Sequence, residues 1–443
     1  MDTAWSQLQR AVNLGRASTL GGIGGILIAL ANALPLHAST DDASVRYTMR
    51  QGDTLIELAD RYLQSRADYK IVQRQNRIAD PFAIPVGKTI SIPRNLLKFK
   101  PANARLISVR GQVLASAATA SVGQILREGA AISTGPSSFA TMQLDDGSRV
   151  SLPSNSNIRI RRLRSYVLGG SVDYDFDIAN GGVRSSVVKH KSPDDRYQVR
   201  TPKAVSAVRG TDFQSRFDPD SASDFVEIVE GALAVNAASD VSRALAAGNG
   251  LAIKADGRVI AEALLTPPAL REPGKTQAEK IVTFQSEAPT GVRFTVGADS
   301  GFIEQVADVI AADGKADITD LPNGNYFVRA RAISPNGIQG IPATFAFKRR
   351  LNGVSATVGQ SDEGYVFRWI GEGSGTQRFH FQLFRNATDQ IAMVDEAGLT
   401  SDRVILSDLP QGDYFWRVGV VQYLDGEVAT NWTPMEKLSV SGT

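Results

Sequence analysis

The chain has no cysteine among its 443 residues, so disulfides and thiolate metal sites are excluded outright. Histidine occurs three times, at His37, His190 and His380, too far apart to show a metal-ligand spacing or a Ser-His-Asp order. Basic residues exceed acidic ones by only +2, which argues against a strongly basic nucleic-acid binder. No P-loop or glycine-rich phosphate turn stands between a strand and a helix. Paired carboxylates need no local motif, but the adjacent pairs Asp145-Asp146 and Asp194-Asp195 read as turn residues. The sequence therefore assigns no catalytic residue, no metal ligand and no cofactor. What is present is ordinary globular material, 42% hydrophobic, over a length that suggests about three domains.

Long apolar runs are also scarce; there is one. Met1–Thr19 carries Arg10 and Arg16, and Leu20–Leu36 is almost wholly apolar. Small residues follow at Ala31-Asn32-Ala33 and His37-Ala38-Ser39. This order reads as a secretory signal peptide over residues 1–38, cleaved between Ala33 and Ser39. An uncleaved membrane anchor is the alternative. Either way the body is expected outside the cytoplasm, in the periplasm or cell envelope.

The most informative stretch is Val45–Pro93. Arg46–Arg50 reads as a strand running into a Gly52-Asp53 turn, and Thr54-Leu55-Ile56-Glu57 has the form of a helix capping box. Leu55, Leu58, Ala59 and Tyr62 fall at helical spacing. Asp68 is placed to cap a second helix ending at Asn76, with Ile71 and Val72 inward. Pro81, Pro85 and Gly87 break the chain before a last strand, Thr89–Ile92. This strand–helix–helix–strand unit resembles the LysM domain, through Tyr47, the run Gly52–Leu55, Ala59, Tyr62, Ile71, Asn76, Ile84, Gly87 and Ile90-Ser91-Ile92-Pro93.

The resemblance implies binding to N-acetylglucosamine polymers such as peptidoglycan or chitin. The implied groove lies between Gly52, Asp53, Thr54 and Leu55 on one side and Asn76, Arg77, Ile78, Ala79, Asp80 and Pro81 on the other, with Ile84 nearby. Such a site is shallow, and backbone N–H and C=O groups bond the acetamide. Gly52 permits the close approach this needs. The alternative is that Gly52, Asn76 and Pro81 are turn residues beside an empty groove.

From Leu106 to Ile260 the pattern becomes short strands punctuated by turn dipeptides, an all-β region. Ala140, Met142 and Leu144 alternate with polar residues, and Asp145-Asp146-Gly147 turns the chain. Asn180-Gly181-Gly182 and Asp256-Gly257 read as hairpin turns, and Glu230-Gly231 as a further turn. Only Val241–Ala247 has a helix-like period. Val109-Arg110-Gly111, Thr134–Ser138, Leu144–Ser148, Arg200-Thr201-Pro202, Val208–Phe213 and Val229-Glu230-Gly231 resemble the FecR domain of envelope signalling regulators. That family's anti-sigma segment does not carry over, because only Met1–Thr19 precedes the apolar run. Arg209 and Asp212 flank Gly210 in what reads as a tight turn. Arg159, Arg161, Arg162 and Arg164 are expected to divide between the two faces of a strand, either as a solvated edge or as an anion contact.

Pro267, Pro268 and Pro273 make residues 264–274 a semi-rigid linker. Beyond it, Asp320–Arg329 recurs as Asp408–Arg417 with seven of ten positions identical at an offset of 88, which establishes a duplication. The Leu-Pro-x-Gly-x-Tyr pattern resembles fibronectin type III and related immunoglobulin-like sandwiches, at 275–350 and 354–443. The resemblance makes Tyr326 and Tyr414 corner fasteners. Trp369 and Trp416 read as core, and Trp432 stays open as a sugar platform.

The expected fold class is mainly β and multidomain: a small βααβ LysM module at 45–93, an all-β FecR-like domain at 106–260 and two tandem β-sandwiches. The expected function is non-catalytic peptidoglycan binding, with the β modules presenting a surface to another envelope protein. An envelope signalling component and a wall-remodelling enzyme are the other readings.

Overall fold

The computed structural model describes residues 44–441, apart from 190, 209, 238–241 and 289. The expected signal segment at 1–38, His190 and Arg209 lie outside the described residues.

Alternating Val45, Tyr47 and Met49 bury one face of β1 (Ser44–Thr48) and its exit, and β1 pairs antiparallel with β2 (Thr89–Pro93). Between them, Thr54 and Glu57 close the expected capping box, at 3.2 and 3.3 Å, and start α1 (Leu55–Tyr62). Leu55, Leu58 and Ala59 face inward from it.

The second helix, α2 (Tyr69–Gln75), departs from expectation in two ways. Asp68 already has helical dihedrals, so its carboxylate bonds back to the Ser65 amide at 3.2 Å and closes a short 3-10 turn instead of capping α2. Val72 is buried, but Ile71 is 39% exposed, because a helix this short turns only one narrow stripe inward.

The strands from Phe99 to Ala263 form one continuous, closed β system around a single large core. Its central element is the strand Val172–Ser186. The first part pairs with Asn157–Tyr166 and, in parallel, with Arg196–Arg200; the last part pairs with Arg149–Leu152 and Asp212–Asp218. Asn180-Gly181-Gly182 is therefore not a hairpin turn but a bend inside this strand, where it passes from one set of partners to the other. Gly181 has φ +71°, and a Cβ there would stand 2.5 Å from the Asn155 carbonyl oxygen. Asp256-Gly257 does close a hairpin, between Asn249–Ile253 and Val259–Ala263. Ser242–Ala246 is a strand paired with Ala232–Asn236, not a helix; its neighbour decides the backbone where local period does not.

The four arginines share one face. A bulge between Ile160 and Arg162 shifts the alternation by one residue, so Ile158, Ile160 and Leu163 all point into the core. The strand is interior, and its cations are engaged. Arg162 reaches Asp175 at 2.7 Å and Arg161 reaches Asp177 at 3.5 Å, while Arg164 pairs with Glu128. The neighbouring Asp173 and Asp175 are fully buried, and Arg196 and Arg200 hold them at 2.6 and 2.9 Å. Neither a solvated edge nor a free anion site describes this face.

Two sandwiches follow. In the first, Val282–Gln285 pairs with Lys315–Ile318, opposite a sheet ordered Gln305–Ala311, Val292–Gly297, Gly324–Ala332, Ala343–Arg349. In the second, Val354–Ser361, Gly364–Gly371 and Arg403–Leu406 face a sheet built on Thr376–Phe384 and Gly412–Leu424. Phe284 and Trp369 sit in equivalent strands. Tyr326 and Tyr414 donate their hydroxyls to the carbonyls of Pro322 and Pro410, at 3.1 and 2.7 Å. Trp369 and Trp416 are core residues at 2% and 1% exposure.

The modules are docked, not strung. Tyr166 and Leu168 of the large β system belong to the core around α1 and α2, and Arg94 donates to the Asp194 carbonyl across that junction at 2.7 Å. Residues 264–274 are not a free linker: Leu264 packs with Phe225, Ala252 and Ile338, and Leu270 enters the first sandwich core. Between the sandwiches, buried Arg350 bonds Gln422 and Glu427, each at 2.8 Å.

Candidate binding groove

The turn after β1 makes one wall of a shallow groove of about 420 Å³. Asp53 organises that turn. Its carboxylate accepts from the Tyr47 hydroxyl at 2.7 Å, the Arg50 amide at 2.8 Å and the Arg61 guanidinium at 3.0 Å. Burial works against the charge, but these bonds prevail and hold Asp53 below the usual carboxylate range. The same burial, with the bond to Asp53, pushes Tyr47 up to about 12. Gly52 has φ +84° with open space where a Cβ would stand, so its backbone is accessible.

The opposite wall is Phe82–Val86. The Leu55 amide donates to the Pro81 carbonyl at 2.9 Å, and Met49 exchanges backbone bonds with Gly87 and Lys88, so the walls are stitched at both ends. Asp80 accepts the Phe82 amide at 2.9 Å and fixes the bend that turns the ring outward. Phe82 is 65% exposed and Val86 66%, an apolar lip facing a polar backbone turn.

Among the residues read from the sequence, Gly52, Asp53, Thr54 and Ile84 line the groove. Leu55 and Pro81 join its walls. The Asn76 amide group is spent on the Val72 and Ser91 carbonyls and the Ser91 amide, at 2.7–2.8 Å, fastening α2 to β2. Arg77 takes a left-handed backbone outside the lining, Ile78 is core, and the Ala79 carbonyl is held by Gln73 at 3.3 Å. Sequence reasoning missed Arg50, Phe82, Ala83, Pro85 and Val86. The available signal was Phe82 itself, an aromatic inside a proline-bounded turn with no periodic partner to bury it.

Elsewhere, a polar cleft of about 860 Å³ opens where the two sandwiches meet, lined by residues such as Arg271, Gln277, Asn352 and Asn431. Trp432 lies against Gly419 and His380, with the Arg417 guanidinium 4.4 Å from its ring centre, so it packs on its own sheet. The carboxylate pairs are turn residues as read: Asp146 accepts the Ser148 amide at 2.9 Å and Asp195 the Ser192 amide at 2.8 Å. Among the described residues no cluster of His, Asp and Glu has the makings of a metal site, and no helix is long and apolar enough to cross a membrane.

Comparison with known families matches residues 47–93 to the LysM domain and residues 130–234 to FecR protein. No curated protein matches the chain. Among solved structures, a candidate anti-sigma factor from Parabacteroides distasonis ATCC 8503 is similar at 16% identity over 30% of this chain, with a TM-score of 0.26. This chain spans 59% of that protein's length. A two-domain fibronectin type III segment of chicken tenascin is 13% identical over 40% of this chain and 98% of its own, with a TM-score of 0.19. Fibronectin(III)-like modules of Clostridium thermocellum CbhA are 15% identical over 39% of this chain and 93% of their own, with a TM-score of 0.18. The chain is thus a mainly β, multidomain protein that carries a LysM domain and a FecR domain ahead of a duplicated β module.

Proposed function

We propose that this is a non-catalytic protein of the bacterial cell envelope. It grips peptidoglycan through the groove between Gly52–Thr54 and Phe82–Val86 and holds its β modules in fixed register to the wall. The observation that carries this reading is the open groove within a LysM domain, where an accessible glycine backbone faces the exposed Phe82. The backbone serves acetamide hydrogen bonds, and Phe82 and Val86 serve the apolar sugar face. On this reading residues 1–38 direct export, 45–93 bind glycan, and 106–260 with the two sandwiches form the scaffold that meets an envelope partner.

Co-sedimentation of the full chain with purified sacculi tests it, beside a Phe82→Ala variant that leaves the core untouched. The expected result is sedimentation of the parent and a loss of roughly tenfold in affinity for the variant, from the contact area removed. Equal sedimentation of both sinks the groove. Release of soluble muropeptides in the same assay would replace binding with catalysis.

A second reading rests on the FecR match over residues 130–234: an envelope signalling component whose stimulus is wall engagement. It requires a membrane-associated partner. Cross-linking in cells that recovers no membrane protein through the β modules would dismiss it.

A further inference from the structure

The module around the groove is more basic than the chain it belongs to. Residues 45–93 hold eight Lys and Arg against five Asp and Glu, a surplus of three where the whole chain has two. All five acids are occupied elsewhere. Asp53 pairs with Arg61 and Asp60 with Arg66, Glu57 and Asp68 close capping boxes, and Asp80 holds the Phe82 amide. Among the described residues six of the eight cations form no ion pair; Lys70, Arg74 and Arg77 lie on or just after α2, while Arg46, Arg50 and Lys88 lie on the hairpin that carries the groove. Arg46 and Arg50 stand on the outward face of β1 and its exit, separated by Thr48, and Lys88 lies beyond the groove's second wall, its carbonyl paired with the Met49 amide. All three are exposed, and among the described residues none has a side-chain hydrogen bond or ion pair. Arg50 itself lines the groove, beside the Gly52 turn.

Resting on the groove reading above, we propose that this row of cations makes the groove selective for N-acetylhexosamine chains that carry carboxylates. Such chains are peptidoglycan strands with their lactyl groups or stem peptides, as distinct from neutral chitin. A sugar chain seated between Gly52 and Phe82 leaves along the hairpin face. Arg50 meets a carboxylate on the bound unit, and Arg46, about 13 Å farther along the strand direction, meets one on the next. Guanidinium groups with no internal partner break no existing pair when they take up a carboxylate.

The test uses the full chain and three probes in titration calorimetry: chitopentaose, amidase-stripped peptidoglycan strands bearing free lactyl carboxylates, and strands with intact stems. The variant is Arg46→Gln with Lys88→Gln, both outside the groove lining. The expected result is tighter binding of the acidic strands, which falls roughly fivefold or more in the variant and falls with added salt, while chitopentaose is unchanged. Equal affinity for stripped and intact strands assigns the contact to the lactyl group; preference for intact strands assigns it to the stem. Equal affinity for all three probes overturns the selectivity and leaves the groove standing. No binding to any probe overturns the groove, and the selectivity with it.

Discussion

Arg216 and Glu227 face each other at 3.1 Å in the seam between the large β system and the first sandwich, and the glutamate is fully buried. The guanidinium also lies 3.7 Å from the Phe225 ring centre and donates to the Gly337 carbonyl of the sandwich. The glutamate accepts the Gln339 amide from the same loop at 3.1 Å. One ion pair thus holds two modules.

Removing one partner from such a pair strands the other charge. Arg216→Met is expected to cost about 3 kcal/mol. It should also open residues 264–274, so that trypsin cuts at Arg271. Urea titration and timed proteolysis read the two effects. Loss of stability without new cleavage would place Arg216 in the large core alone, not in the seam.

The repeated tyrosines give an internal comparison. Tyr414 is fully buried and bonds Pro410 at 2.7 Å, while Tyr326 is 9% exposed and bonds Pro322 at 3.1 Å. Tyr414→Phe should cost about 1 kcal/mol, the net worth of a hydrogen bond donated by a fully buried ring. Tyr326→Phe should cost less. Calorimetric unfolding of both variants checks the order.

Gly181→Ala should be among the most damaging single-atom additions in the chain. It adds a Cβ at φ +71° within 2.6 Å of both the Asn155 carbonyl oxygen and the Ser156 Cα. Relief requires the long strand to shift, so a loss above about 2 kcal/mol is expected. A neutral result by chemical denaturation would mean that the bend relaxes freely.

The groove turn should respond to both ends of the pH scale. Asp53 sits below its usual carboxylate range, so its contribution is present above about pH 4 and fades as pH falls further. Tyr47 is raised to about 12, so its contribution is present up to pH 10 and fades between 10 and 12. Amide exchange at Arg50 and Asp53 should rise in both windows. Asp53→Asn should abolish the acid one.

Much of this architecture was readable in the chain. Thr54 and Glu57 announce α1 by spacing alone, Asp256-Gly257 announces its hairpin, and the repeated Leu-Pro-x-Gly-x-Tyr announces two corners. What was not readable depends on neighbours distant in sequence. A glycine pair serves a hairpin or a bend equally, and Asn155 and Ser156 decide for the bend at Gly181. The arginines of 159–164 looked solvated because their acids, Asp173, Asp175 and Asp177, lie on the next strand, in a register that only the bulge at Arg161 sets. In the groove, the loop Asn76–Pro81 drew attention through its resemblance. Phe82 gave no periodic signal; it stands 65% exposed in a turn where Asp80 accepts its amide.

The pairing of β1 with β2 has a mechanical consequence. Ser44 and Pro93 are cross-strand partners, so the chain enters and leaves the module at the same end of the ladder. Tension between those two points does not load the hydrogen bonds together, as shear along the strands would. It peels them one after another, from Ser44 toward Thr48. A pull on the chain ahead of Ser44 therefore meets a zipper, while a load applied at Gly52 and Phe82 arrives at the closed end and must displace Met49, Gly87 and Lys88 before the ladder can part.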